Sequence, residues 1–324
     1  MRVGVIGAGN IVKCWLDAIE DTKEIRCTAI YVRLQSIEKG NELAARFGID
    51  HVYTDIEVML TSEDIDFIYV AVNNTLHYPY AKQALLNNKH VIMEKPFTAT
   101  LAEAEELASL AKTKELFLFE AVMNLHAPLL SEIEKAIGQI GKIRLVQANF
   151  SQVSSRYHNY QKGQIHPAFD PKWYGGALYD LNVYNLNLLI HLFGLPQESY
   201  YLANKGFNGI DTSGTVTMRY PDFVVTCTAA KDAAGDNFFM IQGDKGYIRC
   251  QGSASNLPVL LVSTKEGECL YQDEDVDRAL AREFQVFYQI WQAGNYQLGK
   301  DKLRHSLAVV ELLEELYNKE VLCK

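Results

Sequence analysis

Short apolar runs alternate with amphipathic stretches over the first 122 residues. The runs "RVGVI", "IRCTAIYV", "DFIYVAV", "HVIME" and "LFLFEAV" predict strands. The stretches 10–20, 36–47, 77–88 and 101–114 predict helices, because apolar residues recur there with a helical period. Strands that are apolar nearly throughout and are separated by helices are typical of a parallel sheet covered on both faces. Residues 1–122 are therefore predicted to form a doubly wound α/β domain.

The pattern changes after residue 122. Pro128–Ile140 and the segment "YDLNVYNLNLLIHLF" predict helices, with the long strand "KIRLVQANFSQV" between them. From Glu198 to about 272, six strand-like runs follow on short turns, which favours antiparallel pairing. Helices close the chain over 277–293 and 300–318. We therefore expect residues 123–324 to form an α+β domain with an open, mostly antiparallel sheet. An apolar sheet face needs a cover, so we expect a homodimer formed through this sheet.

Composition narrows the class of partner. The chain has 324 residues, is 48% hydrophobic and carries a net charge of −9 without any Lys/Arg block. Nucleic acids and anionic membrane surfaces both require a cationic footprint, so neither is expected. No apolar run approaches the roughly 20 residues of a membrane helix. The six cysteines are scattered, which favours a reduced cytoplasmic location and gives no reason to expect a metal site.

A glycine turn joins the first predicted strand to the first helix. In "VGVIGAGNIV", Gly7 permits the tight turn and Gly9 lets the backbone approach a pyrophosphate. Asn10 and Ile11 open the helix and are expected to line the same site. Val12 occupies the third position of the fingerprint, where Gly or Ala is usual. Since the turn follows a strand and opens a helix, we expect a Rossmann dinucleotide-binding site, the alternative being an ordinary strand–helix turn.

The end of the second predicted strand bears on cofactor choice. NAD sites usually carry an acidic residue there for the ribose 2′-hydroxyl, but "AIYVRLQS" has none. Arg33 stands in its place with Ser36 close behind, and an arginine can pair with a 2′-phosphate. The sequence therefore favours NADP(H) over NAD(H). The alternative is that Arg33 is a solvated surface charge.

Four stretches together resemble the glucose–fructose oxidoreductase / inositol dehydrogenase (Gfo/Idh/MocA) family along nearly the whole chain. They are the glycine turn, "YVAVNNTLHYPYAKQALLNNKHVIMEKPF", "EAVMNLHAP" and "GGALYDLNVYNLN". The resemblance implies a nicotinamide-dependent oxidoreductase with a Rossmann domain and an α+β substrate domain. It also implies a cis bond between Lys95 and Pro96.

The resemblance places Lys95 beside the nicotinamide, in contact with the reacting oxygen of the substrate. The chemistry supports this role, since an amine there stabilises oxyanion character and can relay a proton. Asn73, Asn74, His77 and Glu94 are expected on the cofactor side. The alternatives are a surface lysine at a strand end and, for His77, an ordinary helix-start residue.

The "GGALYDLNVYNLN" segment supplies the second-domain candidates. Asp180, Tyr184 and Asn187 match the family element D-x-G-x-[HY]-x-x-N, with Asn182 in place of glycine. Their i, i+4, i+7 spacing predicts that one helical face presents all three. The resemblance implies that Tyr184 is the acid/base, assisted by Lys95, and that Asp180 orients substrate. The alternative for Tyr184 is a half-buried core aromatic.

The remaining candidates concern the substrate. Glu120 ends the last strand of the first domain, at the edge where α/β ligands bind. The loop from Ser154 to Tyr174 supplies Tyr157 and Trp173 among other aromatic and polar residues. Such a mixture suits a polyhydroxylated ligand, because rings pack on C–H faces while polar groups take hydroxyls.

Together these features predict an NAD(P)-dependent oxidoreductase that interconverts a secondary alcohol and a carbonyl on a sugar-like, polyol or cyclic diol substrate. Two alternatives use the same fold. One is a non-catalytic regulator that senses dinucleotide or sugar, and the other is a redox-neutral glycosidase with tightly held NAD⁺.

Overall fold

A six-stranded parallel sheet with the strand order β3-β2-β1-β4-β5-β6 forms the centre of the N-terminal unit. The structure is a computed structural model that describes residues 1–322. The elements of this part of the chain are β1 (Arg2–Ile6), α1 (Asn10–Ile19), β2 (Arg26–Tyr31), α2 (Ile37–Phe47), β3 (His51–Tyr53), α3 (Ile56–Leu60), β4 (Phe67–Val70), α4 (His77–Leu86), β5 (His90–Glu94), α5 (Leu101–Thr113) and β6 (Leu118–Ala121). The predicted doubly wound architecture is confirmed.

The central strands are buried on both faces, as their composition requires. Every residue of β4 and β6, and all but the first residue of β1 and β5, is buried. The edge strand β3 and the short helix α3 were not predicted. They have three and five residues, which is too short for a periodic pattern to emerge.

An eight-stranded sheet with the order β14-β13-β12-β11-β7-β10-β9-β8 dominates the C-terminal unit. Strands β10 and β7 pair in parallel and all other neighbours pair antiparallel. The elements are α6 (Pro128–Ile137), β7 (Ile143–Ser151), α7 (Tyr157–Gln161), α8 (Val183–Phe193), β8 (Glu198–Lys205), β9 (Asp211–Arg219), β10 (Val224–Ala230), β11 (Phe238–Gly243), β12 (Gly246–Gln251), β13 (Val259–Thr264) and β14 (Gly267–Gln272). The predicted mostly antiparallel sheet is confirmed. Strand β14 escaped prediction because almost all its residues are exposed, which removes the alternating pattern.

Two helices, α9 (Ala279–Gln292) and α10 (Tyr296–Leu322), complete the chain. Residues Asp277–Leu307 pack with Met1–Ala121, whereas Val122–Val276 and the chain from Ala308 form the second unit. The predicted division at residue 122 placed Asp277–Leu307 in the second domain, whereas this segment packs with the first unit. The reason is that α9 buries Phe284 and Phe287 in the apolar core of the first unit, beside Trp15. Within residues 1–322, no helix is both long and apolar enough to cross a membrane.

Candidate active site

The turn between β1 and α1 has the geometry that the glycine pattern predicts. Gly7 has a φ of 117°, and a Cβ on it would lie 2.4 Å from the carbonyl oxygen of Ala71. Gly9 directly precedes α1, and a Cβ built on it meets nothing within 4 Å. The first turn of α1 carries no acidic side chain. Open space before a helix N-terminus without a competing carboxylate fits a pyrophosphate.

The three residues that follow Gly9 differ in their burial. Asn10 is exposed, Ile11 is half-buried and Val12 is fully buried. Val12 packs in the core of the first unit together with Val3 and Val5. The third fingerprint position therefore carries a larger residue that fills the space between helix and sheet.

Arg33 lies exposed just beyond β2, and Ser36 is half-buried at the start of α2. The rings of Tyr31 and Tyr80 meet edge to face beside them, with centroids 5.9 Å apart. Burial and the Tyr31 hydroxyl raise the pKa of Tyr80 to about 12, and the charge of Arg33 opposes that rise. Arg33 is thus a solvent-accessible cation beside two phenols, which suits a phosphate ligand.

His77 joins the two loops that follow β4 and β5. Asn73 is exposed and Asn74 is half-buried in the turn before α4, whereas His77 is completely buried. Its Nδ1 lies 2.9 Å from the carbonyl oxygen of Pro96, and its Nε2 lies 3.1 Å from that of Val72. Burial lowers the pKa of His77, opposed by those carbonyl groups. The structure therefore places His77 among backbone groups of the first unit.

Lys95 follows the last residue of β5 and is half-buried. The Lys95–Pro96 bond is cis, as the resemblance implied. The next amide, of Phe97, donates a 3.0 Å hydrogen bond to Oε1 of Glu120. Together with the His77 contact to Pro96, this bond holds the backbone on the C-terminal side of Lys95.

The two acids of this segment are both buried. Glu94 accepts a hydrogen bond from the hydroxyl of Tyr69. Burial raises the pKa of Glu94, although the Tyr69 hydroxyl and the charge of Lys95 oppose the rise. Burial also raises the pKa of Glu120 to about 7, with Glu94 contributing and Ser306, the Phe97 amide and Lys95 opposing. Burial therefore gives Glu120, which contacts the segment after Lys95, a pKa close to neutral pH.

In the second unit, a π-helical turn over Leu178–Asn182 precedes α8 and contains Asp180. Such turns often occur at functional sites because they reorient one side chain. The buried side chain of Asn182 donates to the carbonyl of Cys227 on β10, at 3.2 Å. This bond accounts for the asparagine where the family pattern has glycine.

Asp180, Tyr184 and Asn187 differ in their accessibility. The side chain of Asp180 is 36% exposed, Tyr184 is 9% exposed and Asn187 is fully buried. Nδ2 of Asn187 donates to the carbonyl of Val183 at 3.0 Å. The carbonyl of Tyr184 accepts from the buried side chain of Asn124 at 2.9 Å. Accessibility therefore falls along the segment from Asp180 to Asn187.

The aromatic loop packs largely on itself. The ring of Tyr157 contacts Tyr160 and Phe169, with centroid distances of 6.2 and 6.0 Å. Trp173 is half-buried in a short 3₁₀ turn, Pro171–Trp173. Burial lowers the pKa of His166, with contributions from Arg156 and Lys231.

Two residues that sequence reasoning missed support this region. Asp211 is buried at the start of β9, where Oδ2 accepts from the amide of Leu178 and the hydroxyl of Tyr201, each at 2.7 Å. Lys231 is buried just beyond β10, and its Nζ lies 2.8 Å from Oδ2 of Asp180. A lysine directly after the buried run "VVTCTAA" was the available signal for Lys231. Asp211 gave no comparable signal.

Comparisons with known proteins agree with this organisation. Residues 1–122 match a family described as an oxidoreductase family with an NAD-binding Rossmann fold, and residues 135–249 match the GFO/IDH/MocA C-terminal domain. The chain is 32% identical to scyllo-inositol 2-dehydrogenase (NADP(+)) IolU of Bacillus subtilis over 248 residues, which is 76% of this chain and 75% of the relative.

Two further proteins are similar. The chain is 30% identical to the dTDP-3,4-didehydro-2,6-dideoxy-alpha-D-glucose 3-reductase of Streptomyces antibioticus, over 69% of this chain and 67% of that one. The fold of this chain also matches that of KijD10, a 3-ketoreductase from Actinomadura kijaniata solved with NADP and TDP-benzene. The TM-score is 0.87 at 23% identity, and the match covers 98% of this chain and 97% of KijD10. The protein therefore belongs to the Gfo/Idh/MocA family of nicotinamide-dependent oxidoreductases.

Proposed function

We propose that this protein is an NADP(H)-dependent oxidoreductase that interconverts a secondary alcohol and a carbonyl on a sugar-like, polyol or cyclic diol substrate. The observation that carries the proposal is the segment after β5. Lys95 is accessible there, while the backbone beyond it is held by His77 and Glu120. Such restraint is what a positioned catalytic amine requires. The names of the relatives support the same substrate class.

The proposal gives each candidate one task. Lys95 stabilises negative charge on the reacting oxygen, Tyr184 takes or returns its proton, and Asp180 orients the substrate hydroxyls. The nicotinamide, when bound, supplies the hydride acceptor or donor. Tyr157, Trp173, Asn187 and Glu120 are retained as proposed substrate-side residues, although the burial of Asn187 and Glu120 favours a supporting role over direct contact.

For the cofactor, the proposal assigns the pyrophosphate to Gly7, Gly9 and the start of α1, and the 2′-phosphate to Arg33 and Ser36. Asn73, Asn74, His77 and Glu94 remain proposed for the nicotinamide side. The exposure of Arg33 and the absence of an acid from the segment 31–36 support NADP(H) over NAD(H).

The central experiment measures turnover of Lys95→Ala against scyllo-inositol and related polyols. We expect kcat to fall about 10²- to 10⁴-fold because the amine acts on the transferred proton and the oxyanion. Cofactor affinity should persist. Lys112→Ala changes an exposed lysine of the same unit and serves as control. Full activity of Lys95→Ala would remove Lys95 from the mechanism.

Cofactor choice is tested separately by titrating NADP(H) and NAD(H) into Arg33→Ala. A lost charge-assisted hydrogen bond corresponds to about 1.5–3 kcal/mol, so the Kd for NADP(H) should rise roughly 10- to 100-fold. The Kd for NAD(H) should change little. Lys23→Ala, at an exposed position before β2, is the control. Equal weakening of both cofactors would contradict the assignment.

We also propose a homodimer formed through the large sheet. One face of the sheet is the core of the second unit, and the other presents a row that crosses all eight strands. The row consists of Tyr200, Thr217, Thr226, Gln147, Met240, Arg249, Leu261 and Leu270. Sedimentation at micromolar concentration should give a dimer for the wild type and a monomer for Met240→Glu. A monomeric wild type would contradict this proposal.

A further inference from the structure

Lys231 contacts three groups with one buried ammonium. The residue is 2% exposed, which is rare for lysine unless its charge is compensated. Its Nζ lies 2.8 Å from Oδ2 of Asp180 and 2.5 Å from the carbonyl oxygen of Ala168. It also lies 4.5 Å from the ring centroid of Phe169. Three N–H groups thus have a carboxylate, a carbonyl and a ring face as neighbours.

The backbone of Lys231 contacts the same region from the other side. Its amide donates to the carbonyl of Thr212 at 2.8 Å, which continues the pairing of β10 with β9. Its carbonyl accepts from the amide of Ser154 at 2.9 Å. Ser154 begins the aromatic loop and Ala168 lies near its end, so one residue is bonded to both ends of this loop.

The accessibility of the ion pair is uneven. The side chain of Lys231 is 3% exposed, whereas that of Asp180 is 36% exposed. Here the cation is buried, whereas the carboxylate that it contacts is partly exposed.

Aromatic packing extends this support outward. Phe169 stacks on Tyr160 at 4.9 Å, and Tyr160 stacks on Phe207 at 4.5 Å. The hydroxyl of Tyr160 donates to Oδ1 of Asn208 at 2.7 Å, and Nδ2 of Asn208 donates to the carbonyl of Phe169 at 2.8 Å. The β8–β9 hairpin therefore braces the segment that Lys231 holds.

We propose that Lys231 is a positioning residue that fixes Asp180 and the end of the aromatic loop as one unit and thereby sets how substrate is oriented. The inference rests on the proposed function of Asp180 as the substrate-orienting carboxylate. Its structural part, the anchoring of the loop end by Lys231, does not depend on any reaction.

Hydrogen exchange on the full chain without ligand tests the anchoring. In Lys231→Met, amides of residues 166–170 should exchange roughly tenfold faster, because the carbonyl of Ala168 and the ring of Phe169 lose their partner. Amides of residues 152–154 should be unchanged, since their bonds to the β10 segment involve only its backbone. Asp180→Asn should leave residues 166–170 as in the wild type. Lys265→Met, at an exposed hairpin position, is the matched control. Unchanged exchange at 166–170 in Lys231→Met overturns the proposal.

Kinetics tests the positioning. Lys231→Met and Asp180→Asn should each lower kcat/KM about 10- to 100-fold with an unchanged Kd for the cofactor. The double variant should be no worse than Lys231→Met, because both changes remove one arrangement. Lys231→Arg should recover part of the loss. Fully additive losses, or wild-type kcat/KM in Lys231→Met, overturn the positioning role.

Two outcomes of these experiments require separate interpretation, namely a variant that does not fold and a wild type without activity. If Lys231→Met does not fold, Lys231→Met/Asp180→Asn removes both charges together and should fold, because paired removal leaves no uncompensated charge. Faster exchange at 166–170 in that double variant supports the anchoring, and wild-type exchange there overturns it. If the wild type oxidises no polyol with either cofactor, the proposed function fails, while the exchange comparison still decides whether Lys231 is the anchor.

Discussion

The segment that carries Lys95 and the segment that carries Asp180 are each held by a buried carboxyl group from elsewhere in their own unit. Glu120 accepts from the amide of Phe97, two residues after Lys95. Asp211 accepts from the amide of Leu178, two residues before Asp180. Neither acid belongs to the motif that it supports. A buried carboxyl group thus holds a backbone amide near a candidate site residue in both the α/β unit and the α+β unit.

The two acids differ in what else surrounds them. Oδ2 of Asp211 has a second donor, the hydroxyl of Tyr201, and Oδ1 faces Gly176. Glu120 lies close to a second buried acid, Glu94, which helps to raise its pKa to about 7. Asp211 is thus enclosed by fixed donors, whereas Glu120 can exchange a proton near neutral pH. The first arrangement favours rigidity, and the second makes the Lys95 segment sensitive to pH.

Removing Asp211 should have the largest effect on stability. In Asp211→Ala, the amide of Leu178 and the hydroxyl of Tyr201 lose a buried acceptor, at a cost of about 1–3 kcal/mol each. We expect the free energy of unfolding to fall by about 2–6 kcal/mol, measured by urea denaturation. Asp222→Ala, at an exposed turn of the same unit, is the control. A loss no greater than that of the control would show that Asp211 is dispensable.

The contribution of Glu120 to the free energy of unfolding should instead depend on pH. Its pKa rises from 4.5 to about 7 on folding, so the folded chain keeps a proton that the unfolded chain has released across that range. The free energy of unfolding should therefore fall as pH rises through that window, by up to about 3 kcal/mol. Glu120→Gln should lose this component, because it cannot ionise but can still accept from Phe97.

The comparison is made by urea denaturation of wild type and Glu120→Gln at several pH values from 4.5 to 8. Groups facing Glu120 also titrate or carry charge, namely Glu94 and Lys95, so only the difference between the two proteins is assigned to Glu120. Glu105→Gln, exposed on α5, controls for the loss of a surface charge. Parallel pH profiles for wild type and Glu120→Gln would contradict a raised pKa at this position.

Much of the architecture was readable from the sequence, because buried parallel strands and alternating antiparallel strands leave distinct patterns. The packing of Asp277–Leu307 with the first unit could not be predicted from the sequence, because it depends on contacts between remote parts of the chain. The π-helical turn was hidden as well, because "YDLNVYNLN" also fits a regular helical period.

The sequence likewise predicted some of the candidate site residues and missed others. Lys95 and Asp180 lie in recognisable motifs, but Asp211 and Lys231, which support the Asp180 segment, do not. Asp211 begins an ordinary strand, and no local pattern indicates which amide it will meet. Lys231 follows a strand that ends in two buried residues, as the strand before Lys95 does, so a lysine at a buried strand end was a signal for both. The family motif drew attention to only one of them.

Gly176 offers a narrower test of the rigid arrangement in the second unit. Its φ is 93°, and a Cβ would lie 1.8 Å from Oδ1 of Asp211. Gly176→Ala should cost about 1–3 kcal/mol in the free energy of unfolding, from backbone strain and this contact. In an Asp211→Ala background the cost should be smaller, because the contact with Oδ1 is gone, while the strain and the 3.0 Å approach to the backbone oxygen of residue 211 remain. Equal costs in both backgrounds would assign the whole effect to the backbone.

The smallest expected effect concerns the second acid of the first unit. Tyr69→Phe removes the hydroxyl that donates to Glu94. Because this bond lowers the pKa of Glu94 against burial, its loss should raise that pKa further. The lost hydrogen bond should lower the free energy of unfolding by about 1 kcal/mol at pH 6, and the loss should grow towards pH 8 because the bond favours the ionised form. Urea denaturation at both pH values measures this, with Tyr53→Phe on the edge strand β3 as control. A loss that is the same at both pH values would contradict the expected effect of the Tyr69 hydroxyl on the pKa of Glu94.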